Sequence, residues 1–197
     1  MLALDDQGRV ARWHGVDFQQ HHPLLELGKK AAVAHFSPGG QWCLALEGDG
    51  RGRLLQVASG QETQFAFNLR QVSGAAFSPD GRWFAAASVL GVGQLWDTAS
   101  ARMRANVQGF LQGTHSVAFS PDGQRLAIGS NGNEAIKLWD IGSLEELLTL
   151  PGQGSMFNAT AFSPDGSVLA SANSEGLLHI WRAPSFEQIT RMEAEGR

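Results

Sequence analysis

The string Phe-Ser-Pro-x-Gly occurs four times, at residues 36–40, 77–81, 119–123 and 162–166, at intervals of 41, 42 and 43 residues. About twenty residues after each copy stands a second landmark. It reads Leu95-Trp96-Asp97, Leu138-Trp139-Asp140 and Ile180-Trp181-Arg182, and is weakened to Leu54-Leu55-Gln56 in the first unit. A further copy, Arg12-Trp13-His14, lies near the N-terminus with no Phe-Ser-Pro before it, and positions 13, 55, 96, 139 and 181 keep the same period. Two independent landmarks on one period of 41–43 residues make the chain a tandem array. Such a chain folds as repeated modules, each burying its apolar face against its neighbours.

Each module reads as β-structure. In Ser-Pro-Asp-Gly, proline presets φ at the second turn position, aspartate tolerates the third, and glycine accepts the left-handed residue that closes a hairpin. The first copy has Gly39 where the others have Asp80, Asp122 and Asp165. Short runs at 116–119, 124–128, 135–139 and 147–150, and another at 62–67, predict four strands per unit joined by tight turns. The run before each Phe is rich in small residues, as in Gly74-Ala75-Ala76, which suits an innermost strand where modules converge and backbones crowd. The Trp closing the third strand brings large apolar area to a sheet-on-sheet contact. Phe36, Phe77, Phe119, Phe162, Trp13, Trp96, Trp139 and Trp181, with the adjoining Asp97 and Asp140, are therefore expected to be structural. One stretch, 185–195, offers a helix.

Composition narrows the function classes. The single cysteine, Cys43, excludes an intrachain disulfide framework and any multi-cysteine metal site, and reads as a buried small apolar residue. A net charge of −4 argues against general affinity for nucleic acid or anionic membranes. The longest nearly apolar run, 83–93, is too short to span a bilayer. The N-terminus shows no basic segment followed by an apolar one, which makes the cytoplasm the default expectation. His21 and His22 are adjacent, so an extended strand would point them to opposite sides, and a metal site with Asp17 is not expected. No Gly-x-Ser-x-Gly elbow, His-Glu-x-x-His motif or phosphate loop occurs. The chain is accordingly expected to have no catalytic residue, metal or cofactor.

Four strands per period of 41–43 residues, with Trp-Asp at the close, resemble the WD40 repeat of β-propellers over essentially the whole chain. The resemblance implies an all-β, partial propeller of about 4.7 blades at this period. It implies an incomplete first blade over 1–27, four blades over 28–191 and a polar tail over 192–197. Three readings of ring closure follow: part of a longer protein, association with itself or a partner, or a complete five-bladed ring. The repeat style is similar to bacterial WD40 proteins, in which such arrays often follow a serine/threonine kinase. Family blades often hold a buried His–Ser/Thr–Asp–Trp network. Here Asn68, Phe110 and Gln153 stand at the His place, and Asp49-Gly50 is the one plain Asp turn. Ser88 and Ser130 could supply hydroxyls, but no blade has all four members, so the blades should be held by apolar packing and sheet hydrogen bonds.

The family implies a platform for protein or peptide partners, or alternatively the regulatory propeller of a larger signalling enzyme. The expected partner face collects the loops before each inner strand: Asn68, Leu69 and Arg70, then Phe110 and Leu111, then Met156 and Phe157. Large apolar side chains in such loops either fill gaps between blades or form a binding patch. His35 and His179 are expected at packed or hydrogen-bonded strand positions, and His115 at the channel mouth.

Overall fold

Proline and glycine punctuate the chain at regular intervals, and strands fill the spaces between them. The structure, a computed structural model, describes residues 2–4, 9–14, 20–26, 31–47, 49–67, 69–108 and 110–183. Among these residues eighteen strands form five antiparallel sheets, paired in chain order. The first sheet holds β1 (Leu2–Leu4), β2 (Arg9–His14) and β3 (Gln20–Glu26). The second holds β4 (Ala31–Phe36), β5 (Trp42–Glu47), β6 (Arg51–Gln56) and β7 (Gln61–Ala66). The third holds β8 (Val72–Phe77), β9 (Trp83–Ser88), β10 (Val92–Asp97) and β11 (Arg102–Val107). The fourth holds β12 (Ser116–Phe119), β13 (Arg125–Gly129), β14 (Ile136–Asp140) and β15 (Glu146–Leu150). The fifth holds β16 (Phe157–Phe162), β17 (Val168–Asn173) and β18 (Leu178–Arg182). The described residues contain no α-helix; a 3-10 turn covers Gly132–Glu134. The expected helix at 185–195 and the tail at 192–197 lie outside the described residues, as does any fourth strand of the fifth sheet.

The Ser-Pro-x-Gly turns join the first and second strands of four sheets. Gly40, Gly81, Gly123 and Gly166 have φ of 65–72° and donate to the serine carbonyl three residues back at 2.8–2.9 Å. Only glycine enters that region without strain. The turn serine also works across the hairpin: Ser37, Ser78, Ser120 and Ser163 accept the N–H five residues on. Ser78 and Ser163 donate to Asp80 and Asp165 at 2.6 and 2.5 Å, and Ser120 donates to Asp122. Each aspartate accepts a further N–H two residues on. These bonds stabilise the carboxylates and hold all three below their ordinary range, Asp165 at about 2. Asp97 and Asp140 do similar work between third and fourth strands, accepting from the backbone and hydroxyl of Ser100 and Ser143.

The core lies between sheets. β8 runs beside β4 and β12, and β12 beside β16, so the first strands of four sheets converge on one side. The closing Trp of the third, fourth and fifth sheets packs toward the sheet before it. Trp96 is buried with Leu54, Phe67 and Phe84, its ring stacked 5.9 Å from Phe84 and its Nε1 donating to Gln94 Oε1 at 3.2 Å. Trp139 packs among Leu95, Val107 and Leu126, and Trp181 among Ala127, Ile136 and Phe157. Phe77 and Phe119 are buried in the same layers, while Phe36 and Phe162 are half-buried. The side chain of Trp13 lies outside the described residues. Cys43 is buried with Leu55, and burial pushes its thiol up to about 12, consistent with a packing role.

Candidate functional site

Two surfaces follow from this layout: the end of the array where loops enter the inner strands, and the cleft that the inner strands line. Six residues before the landmark Phe, the backbone is left-handed in three sheets: Gln71 (φ 55°), Gly113 (86°) and Met156 (54°). Residues with a Cβ seldom adopt this conformation, and surrounding structure must hold them there.

That structure is a set of ties from sheet to loop. Eleven residues after the landmark Phe stand Glu47, Ser88, Ser130 and Asn173, all buried. Ser88 Oγ donates to the Arg70 carbonyl at 2.5 Å, Ser130 Oγ to that of Gly113 at 2.6 Å, and Asn173 Nδ2 to that of Gln153 at 2.8 Å. Thr114, fully buried, donates to the Ser88 carbonyl at 2.6 Å and accepts the Ser88 N–H at 3.1 Å. The expectation that sheets rely on apolar packing and sheet hydrogen bonds is thus corrected in part. A shorter hydroxyl and amide network replaces the four-membered one, because backbone carbonyls in the loops serve as acceptors. Next to it, Asn131 donates to the Gln112 carbonyl, accepts the Met156 N–H and lies 3.0 Å from His115 Nε2. Glu134 accepts the Leu111 N–H at 3.1 Å.

The expected partner residues divide on this surface. Leu111 is 84% exposed and Met156 46%, and Arg70 is exposed. Leu90 and Leu177, which lie outside the expected set, are also exposed on turns at this end. Leu69 and Phe157 are corrections: both are buried, Leu69 with Phe67 and Phe77, and Phe157 with Ala135 and Leu169. These two fill gaps between sheets and are closed to a partner. Phe110 is half-buried against the core, with Lys137 Nζ 5.7 Å above its ring. Asn68 lies outside the described residues.

The cleft has a volume of about 440 Å³. His35, Ser73, His115, Asn158 and Thr160 line it, with no carboxylate or cationic side chain among the lining residues. Four residues before the landmark Phe, the register is irregular in β4, β8 and β16, at Ala32, Ser73 and Asn158. A bulge re-aims the side chain it carries. His115 holds the same place just before β12. That shared offset is present in the repeat, but the small residues around it mask it in the sequence. His35 is exposed to the cleft rather than packed, yet concave walls partly desolvate it; desolvation lowers both His35 and His115, favouring neutral rings. His179 is packed as expected, stacked 5.7 Å from Trp181 and accepting the Gln153 N–H at 3.0 Å. Among the described residues no group of three His, Cys, Asp or Glu could hold a metal ion, and no helix is long and apolar enough to cross a membrane.

The family model "WD domain, G-beta repeat" matches residues 63–97, 107–140 and 144–182, more than half of the chain. The first and third of these spans run from the fourth strand of one sheet to the third strand of the next, so successive repeats interlock through shared sheets. No curated protein sequence matches. Among solved structures, a chain of the Kuenenia stuttgartiensis hydrazine synthase is similar in fold, with a TM-score of 0.68 and 16% sequence identity over 78% of this chain. The match covers 46% of that chain, so the present sequence spans less than half of its length.

Proposed function

The chain belongs to the WD40 repeat family of β-propellers, and from that premise we propose that it is a non-catalytic platform for protein or peptide partners. One observation carries the reading. The exposed apolar side chains Leu90, Leu111, Met156 and Leu177 stand on loops and turns at one end of the array, and the backbone N–H groups of the first three donate to the side chains of Ser88, Glu134 and Asn131. A surface that keeps large apolar groups in water on a braced backbone loses little conformational entropy when a partner covers it. The neutral cleft beside it adds hydrogen-bonding groups without the carboxylates that acid–base chemistry uses.

The test is capture of partners from a lysate of the source cells, quantified by mass spectrometry. Leu111→Ser with Met156→Ser should leave the melting temperature unchanged and reduce the main captured protein at least about tenfold, the equivalent of ~1.4 kcal/mol. Met103→Ser with Leu148→Ser, which alters exposed residues on the fourth strands β11 and β15, should leave capture intact. Undiminished capture by the first pair would overturn the assignment of this face.

A further inference from the structure

Two residues before the landmark Trp or Leu55, the third strands of the second, third and fourth sheets carry Arg53, Gln94 and Lys137. Arg53 donates twice to Glu62 on β7 at 2.9 Å, and Gln94 Nε2 donates to Asn106 on β11 at 3.0 Å. In both sheets the side chain ties the third strand to the outer one. Gln94 does more, since its Oε1 accepts the Trp96 Nε1–H at 3.2 Å. Lys137 keeps the first tie, with Nζ 3.1 Å from Glu146 on β15, but an ammonium offers no acceptor. Trp139 Nε1, at the place of Trp96 Nε1, is accordingly buried without a partner. A neutral amide would serve this sheet better. It would also avoid burying a charge, for Lys137 is only 7% exposed.

What the lysine adds lies beyond its own sheet. Its Nζ is 3.4 Å from Glu134 Oε1 in the 3-10 turn and 5.7 Å above the ring of Phe110. Phe110 and Leu111 belong to the loop that follows β11 of the third sheet. Glu134 accepts the Leu111 N–H at 3.1 Å on its other oxygen, Oε2. One carboxylate thus takes an ammonium on one oxygen and a loop amide on the other. The charge that the sheet does without at Gln94 here joins β14, β15, the 3-10 turn and the loop of the neighbouring sheet. We propose that Lys137 is the positioning residue of the loop end: through Glu134 and the Phe110 ring it fixes Leu111, which is 84% exposed, where a partner meets it. The inference rests on the platform reading and adds to it that capture depends on a buried residue closed to the partner.

Lys137→Gln tests it, because Gln94 shows what an amide does at this register. The variant should melt no lower than the wild type, since its amide can accept from Trp139 Nε1 and donate to Glu146. The Leu111 amide should nevertheless exchange with solvent about tenfold faster, the loss expected where a hydrogen bond to a charged group is weakened. Exchange in β12 and β13 should not change. Capture of the main partner should fall about three- to tenfold, the cost of ordering the loop again on binding. Glu134→Ala should speed Leu111 exchange at least as much, and adding Lys137→Gln to it should bring no further increase, because both act through one contact. Unchanged Leu111 exchange in Lys137→Gln would overturn the proposal, as would a variant that melts lower than the wild type. Undiminished capture by Lys137→Gln, where Leu111→Ser with Met156→Ser has lost it, would overturn it too. If that serine pair keeps full capture, the platform reading fails instead, and Leu111 exchange still decides whether Lys137 holds the loop.

Discussion

Gly39→Asp should stabilise the protein, because it completes the one Ser-Pro-x-Gly turn that lacks an aspartate. Gly39 is exposed and its φ is not in the left-handed region, so an L side chain meets no backbone strain. A Cβ there would meet Gln41 Cγ at 3.8 Å, an ordinary contact. Replacing glycine at a compatible position reduces the freedom of the unfolded chain and contributes about 0.4–1 kcal/mol. The new carboxylate also gains two partners, the Ser37 hydroxyl and the N–H of Gln41, by analogy with Ser78 and Arg82 around Asp80. The carboxylate itself would stand at an exposed position, so solvent screens these bonds and they add only a few tenths of a kcal/mol each. The sum is about 1 kcal/mol, or about 2–4 °C in melting temperature for a chain of this size. Gly39→Ala separates the two contributions, since it retains the entropic part alone. The carboxyl of such a turn is held below its unfolded value, as at Asp165. The extra stability of the aspartate variant over the alanine variant is therefore full above about pH 4 and fades as pH falls toward 2. Thermal melts of the wild type and both variants at pH 7 and near pH 3 test this. If the Gly39→Asp protein melts no higher than the Gly39→Ala protein at pH 7, or if its excess survives acid, the account of the turn is wrong.

Three further outcomes follow from the packing. Trp96→Ala should cost about 3–5 kcal/mol in a thermal or urea melt, because the ring is buried among Phe65, Phe84 and Leu54. Trp139→Phe should be close to neutral in a urea melt, since the buried Trp139 Nε1 has no hydrogen-bond partner to lose. Ser88→Ala should cost about 1–3 kcal/mol by leaving the Arg70 carbonyl and the Leu90 N–H without their buried partner, and faster hydrogen exchange in the 70–71 and 89–91 turns should report where the loss falls.

The fold was legible because the repeat samples the same local decision several times. One Phe-Ser-Pro-Asp-Gly string is a turn of several possible uses; four on one period, each followed by a closing Trp or Leu, leave only a stacked array. Expected strands at 116–119 and 135–139 coincide with β12 and β14 to within a residue. The loop surface was only half legible. Leu69 and Phe157 resemble Leu111 and Met156 in chemistry and in distance from the landmark Phe. What separates Phe157 from Met156 is side-chain direction, and a left-handed residue decides it. Met156 carries that backbone itself, and the next residue, Phe157, turns into the core. A reading by hydrophobicity alone cannot see that reversal.

The register offers a sharper instrument than composition for finding function in such an array. Positions that pack sheet against sheet hold the same kind of residue in every unit, as the landmark Phe does. The tie eleven residues after it tolerates Glu, Ser or Asn, because each can reach a polar partner nearby. Four residues before the Phe the units differ, with Ala32, Ser73, His115 and Asn158; Ser73 donates to the Thr114 carbonyl at 2.7 Å and His115 lies 3.0 Å from Asn131 Nδ2, whereas Asn158, exposed at the irregular register of β16, lines the cleft. If the platform reading holds, an exposed position of this kind is where one partner would be distinguished from another. Asn158→Ala should therefore change what the cleft presents while leaving the melting temperature of the sheets unchanged.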